Sequence, residues 1–426
     1  MSRWTPLTRC LLIFVPVACL GVNLLLPRLP AQPQQITSLD YTGTWLRGIA
    51  HEDSWKPMRL ARDWLSEPRE ELLYQEIFFD RGVKLQYPPT SVLFLDGLHG
   101  VGGKRWVSNE VLNGISWMAV LLTVLVSSRI LVRSAGGPPV DRGLRIALGL
   151  LAGVTFYPLV FGFYLGQVQT WIDALVAGLV LAWLVGRQAT AGAISGVICL
   201  IKPQLGLLVV WALLRRRYRF AAGWSVVVGI AGLVSLGLYG WSNHIDYLEV
   251  LSYLGQHGES FNHNQSVNGL AHRLLGNGNN REWANAFPPF DSRVYAATLA
   301  ASLLLIAGAL FHRRREAAPE VDLSILIVSV TIASPIVWTH HYGVFLPLFA
   351  LMLPVVLETS RGRRLNLAVL AVSYLLVANN YRVVNRLFAE TSVNFVQSYV
   401  FFGGLLFLAL LYRLRAPAER APPRLA

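Results

Sequence analysis

Apolar runs long enough to cross a lipid bilayer are the feature that most constrains this sequence. About 20 residues of α-helix span the ~30 Å hydrocarbon layer, and such runs recur from Cys10 to Tyr412. Of the 426 residues, 54% are hydrophobic and only 14% are charged. Backbone polar groups inside a bilayer must be satisfied within the protein, so apolar runs of this length indicate helices. The sequence therefore predicts an all-α polytopic membrane protein and excludes a single water-soluble core.

The spacing of the runs predicts about 10–12 transmembrane helical segments in one integral-membrane domain, residues 1–426. No clear small-residue cleavage site follows the first run, Cys10 to Leu26, so we interpret it as a retained span. The other apolar stretches lie at 109–132, 144–165, 168–186, 190–214, 221–241, 294–312, 321–339, 342–357, 365–384 and 396–412.

Arginine clusters between the apolar runs predict which side each loop faces. A net charge of +13 could indicate nucleic-acid binding, but short arginine-rich loops between apolar runs are typical of the cytoplasmic side of membrane proteins. Placing the clusters inside puts both termini in the cytoplasm, including a tail at 413–426. The clusters are Arg133/Arg142/Arg145, Arg187, Arg215/Arg216/Arg217/Arg219, Arg313/Arg314/Arg315, Arg361/Arg363/Arg364 and Arg413/Arg415.

Residues 190–214 fit this scheme only if they enter and leave the membrane on the same side. Arg187 and Arg215 flank the segment, and Lys202-Pro203 interrupts it midway. Proline breaks or kinks a helix, and non-helical backbone is tolerated at membrane depth only where it is buried in protein or lines a polar cavity. We therefore predict a re-entrant or broken helix pair with Lys202 facing a site.

Two long loops then fall on the outer face, at 28–108 and 242–293. Loops of this length are usually ordered and functional. From Lys56 to Phe79, apolar residues recur at helical spacing among charged ones, with an interruption at Pro68. This pattern is typical of amphipathic helices lying at a membrane surface. No internal repeat is visible, which weakens an inverted-repeat transporter interpretation.

The sequence supports neither a metal site nor a cofactor. Cys10, Cys19 and Cys199 all lie in apolar segments, which argues against a disulfide framework or a cysteine metal site. His340 and His341 are adjacent, so on a helix they would point about 100° apart and make a poor metal pair. No Walker motif, βαβ glycine fingerprint or nucleophile elbow is present.

Polar residues collect at the outer ends of the predicted spans, and their convergence suggests one shared cavity because such groups are costly in a membrane. Other interpretations exist. Asp40 could be a solvated loop carboxylate, and Lys202 could extend its ammonium to the membrane surface. His340 and His341 could belong to an aromatic belt beside Trp338. The candidates are Asp40, Gln167, Lys202, Gln204, Asn264, Gln265, Asn268, Trp338, His340 and His341.

Six short motifs follow one another between residues 40 and 342. They are Leu39-Asp40-Tyr41, Tyr87-Pro88-Pro89, Gly166-Gln167, Lys202-Pro203-Gln204 ahead of Arg215, Asn264-Gln265-Ser266, and Ser334-Pro335 with Trp338 and His340-His341-Tyr342. In this order they resemble glycosyltransferase family 87, the membrane mannosyltransferases that use polyprenyl-phosphate mannose and belong to the C superfamily of glycosyltransferases. The sequence departs from the family in Tyr41-Thr42-Gly43-Thr44, where an aromatic or Val-Tyr-Tyr run is common, and in its longer first outer loop.

The resemblance implies a C-superfamily fold and an inverting hexosyl transfer. The sugar, mannose in this family, would pass from a polyprenyl-phosphate donor to a glycan or glycolipid acceptor of the cell envelope. The site would face the periplasm or exterior of a bacterial plasma membrane. By the same resemblance, Asp40, His340 and His341 are catalytic. The donor phosphate and lipid would contact Lys202, Gln204, Gln167 and Tyr87, and the substrates would contact Asn264, Gln265, Asn268 and Trp338.

Inversion at the anomeric carbon needs a base for the acceptor hydroxyl and a cationic pocket for the departing phosphate. Asp40 would supply the base, and Lys202 with His340 or His341 the pocket. A retaining mechanism needs a second carboxylate close to the first. The outer-loop candidates for it have no diagnostic context, and they are Asp53, Asp80, Asp96 and Asp246.

Two other classes of function remain open at this point. A transporter or flippase of lipid-linked sugars would also have about a dozen helical segments and a buried lysine, but it would concentrate polar residues near the membrane midplane, whereas here they gather at one face. A lipid-binding or assembly subunit would explain the long loops but not Asp40 together with Lys202.

Overall fold

The computed structural model describes residues 4–28, 35–67, 69–135, 141–312, 318–359 and 362–415. No β-strand occurs within these ranges, where the chain forms twenty α-helices. They are α1 (Pro6–Pro16), α2 (Val22–Leu25), α3 (Ser38–Leu46), α4 (Trp55–Leu65), α5 (Val92–Gly102), α6 (Asn109–Ser134), α7 (Arg142–Val154), α8 (Tyr157–Leu165), α9 (Gln169–Leu184), α10 (Gln188–Cys199), α11 (Leu207–Leu214), α12 (Tyr218–Tyr239), α13 (Trp241–His257), α14 (Val267–Leu275), α15 (Ser292–Phe311), α16 (Pro319–Ile332), α17 (Phe345–Glu358), α18 (Arg363–Ala378), α19 (Arg382–Leu387) and α20 (Tyr399–Leu414).

Other helical turns connect or extend these α-helices. Short π-helical turns occur at Val17–Gly21 and Gln75–Asp80. Tighter 3₁₀ turns occur at Leu26–Arg28, Pro89–Ser91, Gly103–Val107, Pro203–Gly206, Thr339–Val344 and Asn394–Ser398.

Six continuous helical stretches in the described chain are long and apolar enough to cross a membrane. A seventh is present if the bent pair α7 and α8 counts as one span, while α9, α10 and the Pro203–Leu214 stretch are shorter apolar helices. The six are Pro6–Arg28, Asn109–Ser134, Tyr218–Tyr239, Ser292–Phe311, Thr339–Glu358 and Asn394–Leu414. The prediction of an all-α polytopic membrane protein is confirmed.

The bend of 48° between α7 and α8 has a local cause. Pro158 occupies the first turn of α8, where its missing N–H costs nothing. In a continuous helix, the same proline would remove one hydrogen bond and clash with the carbonyl of Val154, four residues earlier. The helix therefore stops at Val154 and restarts at Tyr157, which directs α8 towards one end of the bundle.

Burial separates the central spans from the peripheral ones. In the most apolar 18-residue stretch of the Thr339–Glu358 span, 72% of the stretch is buried inside the protein. The corresponding share is only 11% in α12 and 22% in α15. Exposed leucines such as Leu233 on α12 and Leu304 on α15 leave these helices facing outwards. Apolar side chains cover the outside of α12 and α15, as a hydrocarbon environment requires.

The segment predicted to be re-entrant contains α10 and α11, with Lys202 between them. Trp183, near the end of α9, lies 5.5 Å from the ring of Trp211 on α11 and 6.2 Å from Phe220 at the start of α12. Lys202 contacts Gln169 at the opposite end of α9. The segment thus leaves and returns to the same end of α9, and its placement in a membrane stays a prediction.

Two buried ion-pair networks tie helix ends together. Asp322, at the start of α16, accepts hydrogen bonds from Arg215 after α11 and from Arg415 after α20. Asp141 accepts from Thr5 before α1 and is ion-paired with Arg145. Because α16 runs from Asp322 towards the segment that carries His340, these networks lie at the end of the bundle opposite that segment.

The long loops at 28–108 and 242–293 contain ordered helices. In the first, α4 buries Trp55, Met58, Ala61 and Trp64 on one face, and in the second, α13 and α14 account for much of the length. The interruption predicted at Pro68 lies outside the described residues, as do residues 416–426 of the predicted tail. Attachment of α4 to a membrane surface stays a prediction.

Candidate active site

A polar cavity of about 720 Å³ lies at the end of the bundle opposite the ion-pair networks. It opens between the start of α3, the second long loop and the segment around α19. Polar and charged side chains dominate its lining, which combines aromatic walls with a few placed polar groups as ligand sites commonly do. The lining includes Tyr41, Tyr157, Asn262, His263, Arg382 and Asn385.

Asp40 lies in the first turn of α3, next to a residue that lines this cavity. Its side chain is exposed, and Oδ2 accepts hydrogen bonds from the backbone nitrogen of Thr37 at 2.7 Å and from its hydroxyl at 2.9 Å. This reciprocal capping box satisfies the helix N-terminus and fixes the carboxylate. Burial raises the pKa of Tyr41 to about 12; Tyr164 and Asp40 contribute to the rise and Arg382 opposes it. The charges of Asp40 and Arg382 therefore both influence the hydroxyl of Tyr41, in opposite directions.

Phe161 connects the cavity to the histidines behind it. Its ring stacks on His263 with centroids 5.1 Å apart and meets Tyr41 edge-on at 5.2 Å. On the same ring, His340 lies at a centroid distance of 6.4 Å. These contacts bring α3, α8, the second long loop and the Thr339–Val344 turn together at one place.

His340 and His341 lie in the 3₁₀ turn Thr339–Val344, with their rings edge-to-face at 4.8 Å. His340 is buried, and its Nε2 has no hydrogen-bond partner among the described residues, whereas His341 is half-buried. The turn is held by the second loop, because the backbone nitrogen of Thr339 donates to the carbonyl of His263 at 2.9 Å. The two histidines therefore face different surroundings.

Lys202 is held by a buried polar chain. Its Nζ donates to Oε1 of Gln169 at 2.6 Å, and Nε2 of Gln169 donates to Oδ1 of Asp173 at 2.7 Å. Oδ2 of Asp173 has no hydrogen-bond partner in the described chain, and a Cβ on Gly343 would lie 2.0 Å from it. The lysine thus has a carboxylate nearby, as a buried ammonium requires. Gln204, by contrast, is exposed.

Gln167 and Tyr87 meet at a third polar cluster. Ser54 donates to Oε1 of Gln167 at 2.7 Å and is 2.8 Å from the hydroxyl of Tyr87, while Gln167 donates to Asp53 at 2.8 Å. Desolvation raises the pKa of Asp53, although the hydrogen bond from Gln167 and the charge of His51 lower it. Asp53 nevertheless keeps exposed surface, a combination typical of a carboxylate in a concave recess.

Gly166 allows this cluster to form. Its φ of +70° is readily adopted only by glycine, and an added Cβ would lie 2.0 Å from the carbonyl oxygen of His51. The backbone nitrogens of His51, Asp53 and Ser54 donate to the carbonyls of residues 164, 165 and 166. Residues 51–54 of the first long loop are therefore attached to the end of α8.

The side-chain amides of Asn264, Gln265 and Asn268 are occupied by protein partners. Asn264 donates to the carbonyls of Glu259 and Pro335 and accepts from the nitrogen of Val337. Gln265 and Asn268 are likewise bonded through both amide atoms. Trp338 is half-buried and forms an isolated bridge with Asn264. In this geometry these residues shape the loop that carries His263.

The structure thus brings the predicted residues together in part. Phe161 links His340 to the cavity, and His341 packs against His340. Asp40 is the sequence neighbour of the lining residue Tyr41. Lys202 lies at the start of α9, where Gln167 is two residues from Gln169. Several residues outside the predicted set of site residues also belong here: Asp173, Arg382, His263, Tyr157 and Asn385. Asp173 carried a signal, because a carboxylate inside an apolar helix is costly. Arg382 carried one too, as an arginine at the outer end of a predicted span.

Fold and site together define an integral membrane protein with a polar cavity at one end of its spanning helices. A family model described as glycosyltransferase family 87 matches residues 85–339, more than half of the chain. The chain belongs to glycosyltransferase family 87, so it is a membrane glycosyltransferase with a sugar donor and an acceptor as substrates. No curated protein matches the chain significantly.

The matched region contains Tyr87, Gln167, Lys202 and the Asn264–Trp338 motifs, whereas Asp40 and the two histidines lie outside it. The family assignment confirms the resemblance and favours an enzyme over a transporter or flippase of lipid-linked sugars.

Proposed function

We propose that this protein is an inverting glycosyltransferase of a plasma membrane, most simply the bacterial inner membrane. It would move a sugar, mannose by likeness to its family, from a polyprenyl-phosphate donor to a glycan or glycolipid acceptor at the outer face. The observation that carries the proposal is the polar cavity at the end of the spanning helices, whose lining includes Tyr41, the sequence neighbour of Asp40.

The position of the cavity supports a lipid-linked donor and an outer-face site. A polyprenyl phosphate keeps its tail in the bilayer, so its phosphate is presented at the ends of spanning helices, where this cavity lies. The arginine-rich networks around Asp322 and Asp141 lie at the other end. Arginine-rich ends are typical of the cytoplasmic side, which supports an outer-face location for the cavity.

Asp40 is the proposed base that takes the proton of the acceptor hydroxyl. Its Oδ2 is fixed by two donors of Thr37, so the carboxylate is positioned before substrate binds, which is how binding geometry lowers a reaction barrier. Exposure at the border of the cavity gives an acceptor access to it. A single base with a departing phosphate corresponds to inversion at the anomeric carbon.

Lys202 is the proposed donor-phosphate ligand. Gln169 orients its ammonium, and Asp173 lies one hydrogen bond further on. A fixed positive charge in a site shielded from water stabilises the charge that develops on a leaving phosphate, by about 2.7–4 kcal/mol for a typical single donor. His340 and His341 would act on the same phosphate. Tyr87, Gln167 and Gln204 are proposed to contact the donor from the neighbouring cluster and turn.

The motif Asn264-Gln265-Ser266 is proposed to act through position. Because the amides of Asn264, Gln265 and Asn268 are bonded within the protein, their contribution to substrate binding would be to hold His263 and Trp338 in place. Replacing any of them would leave a buried polar partner unsatisfied, at a cost of about 1–3 kcal/mol.

Replacing Asp40 with asparagine tests the proposal. Asn keeps an oxygen that accepts from Thr37, so α3 stays capped, but it cannot take a proton. We expect turnover to fall by about 10² or more while donor binding is kept. The measurement is transfer of labelled mannose from polyprenyl-phosphate mannose to membrane glycolipid by purified protein, with donor binding assayed separately.

Two variants serve as controls for Asp40→Asn. Thr37→Ala removes the side-chain hydrogen bonds of the cap, at about 0.5–2 kcal/mol of stability, but keeps the carboxylate and its bond from the backbone nitrogen of residue 37. It should therefore keep much more activity than Asp40→Asn. Asp53→Asn keeps a hydrogen-bond acceptor for Gln167. Near-normal turnover of Asp40→Asn together with an inactive Asp53→Asn would move the base to Asp53 and refute the role proposed for Asp40.

A further inference from the structure

The polar cavity contains a cationic group that the proposed mechanism does not use. Arg382 lines the cavity, is half-buried, and forms no hydrogen bond or ion pair with any residue that the structure describes. A guanidinium carries five N–H donors in a fixed planar fork, and a partly buried one normally finds acceptors. The fork of Arg382 is therefore available to a ligand in the cavity.

Three buried polar atoms around the cavity also lack partners among the described residues. They are the hydroxyl of Tyr157, Oδ1 of Asn262 and Oδ1 of Asn385, each on a residue that lines the cavity. Tyr157 is 1% exposed and Asn262 5%. Buried polar groups in native proteins are nearly always satisfied, so these atoms indicate a polar ligand with both acceptor and donor groups.

The charges around the cavity favour an anion. Arg281 and Arg386 also line it, and Glu282, which is exposed, is the one acidic residue among the described residues of the lining. Arg281 is paired with Glu390 at 3.1 Å. Burial, together with the charges of Arg382 and Arg273, lowers the pKa of His263 to about 4. A positive potential thus surrounds the neutral imidazole.

We propose that this cavity is a second anion subsite, in which the guanidinium of Arg382 binds a phosphate ester of a lipid-linked substrate. Arginine and phosphate form paired, charge-assisted hydrogen bonds. The inference rests on the proposed function, because it requires lipid-linked substrates at this end of the bundle. It is separate from Lys202, which is bonded to Gln169 and does not line the cavity.

The phosphate has two sources with the same chemistry. It is either the isoprenoid phosphate of the donor or the diacylglycerol phosphate of an anionic glycolipid acceptor. In the second case the protein holds one phosphate at each cationic site, and the enzyme prefers anionic acceptors.

Binding of short-chain probes to purified protein in detergent tests the subsite. Farnesyl phosphate is compared with farnesol, and dioctanoyl phosphatidic acid with dioctanoylglycerol. We expect wild type to bind at least one phosphate at least about tenfold more tightly than its neutral partner, and Arg382→Gln to lose about tenfold or more of that preference. If Arg382→Gln loses the preference for farnesyl phosphate, the subsite binds the donor phosphate. If it loses the preference for phosphatidic acid, the subsite binds the acceptor phosphate.

The inference is overturned if Arg382→Gln keeps the full preference for both phosphates, or if it weakens the neutral lipids equally. Arg293→Gln is the matched control, because Arg293 is exposed and paired only locally with Asp291. Arg382→Lys keeps the positive charge but not the planar set of N–H donors, so it should retain part of the preference for the phosphate over the neutral lipid. This variant keeps the test decisive if Arg382→Gln folds poorly.

The two proposals fail separately, because probe binding needs no sugar transfer. An active Asp40→Asn would refute the base and leave the anion subsite standing. An inactive Asp40→Asn combined with unchanged probe binding by Arg382→Gln would refute only the subsite.

Discussion

At the scale of single residues, the two cationic side chains of the site differ in how the protein supports them. Lys202 is bonded to Gln169, which in turn holds Asp173, whereas Arg382 is left without a partner among the described residues. A lysine that a carboxylate compensates can stay charged without substrate, at a low energetic cost. Arg382, which has no partner among the described residues, would gain a specific charged partner when an anion binds in the cavity.

We predict that Lys202→Met weakens donor binding more than acceptor binding. Methionine fills similar volume but removes the ammonium that would meet the donor phosphate, so KM for the donor should rise by about tenfold or more. Steady-state kinetics with each substrate varied in turn would measure the two effects.

Gln169→Leu is the matching control for Lys202→Met, since it removes the hydrogen-bond partner of Lys202 and leaves the charge. It should have a smaller effect on the donor. Equal losses for donor and acceptor, or no loss, would make Lys202 a structural residue.

At the scale of elements, close backbone contacts decide where the loops and helices sit. A Cβ on Gly192 of α10 would lie 1.9 Å from the carbonyl oxygen of Phe220 on α12, and one on Gly223 would lie 2.1 Å from that of Ala189. Small residues at such crossings are typical of membrane helices, which associate by packing and not by the hydrophobic effect. This contact fixes α10 and thereby the position of Lys202.

Gly166→Ala should destabilise the protein. Alanine would be strained at φ +70° and would clash with the carbonyl of His51, at a combined cost of at least about 1–3 kcal/mol. Displacing residues 51–54 would also separate Asp53 from Gln167. Thermal unfolding and transfer activity should both decline.

Gly97→Ala provides the comparison for Gly166→Ala. Gly97 lies within α5 and has open space around it, so alanine there should be neutral or stabilising by roughly 0.5–1 kcal/mol. Equal unfolding temperatures for the two variants would mean that the turn at Gly166 tolerates a side chain.

At the scale of the whole molecule, polarity is divided between the two ends of the bundle. Buried arginine–aspartate networks occupy one end, and the polar cavity occupies the other. Removing one partner of a buried ion pair typically costs about 3–5 kcal/mol, so the networks stabilise one arrangement of helix ends. This difference between the two ends is expected of a protein whose ends face different compartments.

Cysteine accessibility measures which compartment each end faces. After replacement of Cys10, Cys19 and Cys199, a cysteine at Thr44 should react with a membrane-impermeant reagent only from outside, because α3 borders the cavity. A cysteine at Arg187, which is exposed, should react only from the cytoplasm. Labelling of Thr44→Cys only from the cytoplasm would invert the topology and refute an outer-face site.

The sequence by itself determined the all-helical membrane architecture, the break at Lys202-Pro203 and the family. Hydropathy and length are properties of a continuous stretch of about 20 residues, so a membrane span can be recognised without knowing which other segments pack against it. The family motifs are local as well, and Asp40, Lys202 and His340 were identified from them. Their chemical roles stay predictions.

Only the tertiary structure decided which of these residues meet. Asp173 lies beside Lys202 through Gln169, Gln167 holds Asp53 from 114 residues away, and Arg382 enters a cavity that also contains His263. Such convergence depends on how separate helices pack and on backbone approaches that glycines permit. Because a side chain's partners come from distant segments, no local pattern in the sequence encodes them.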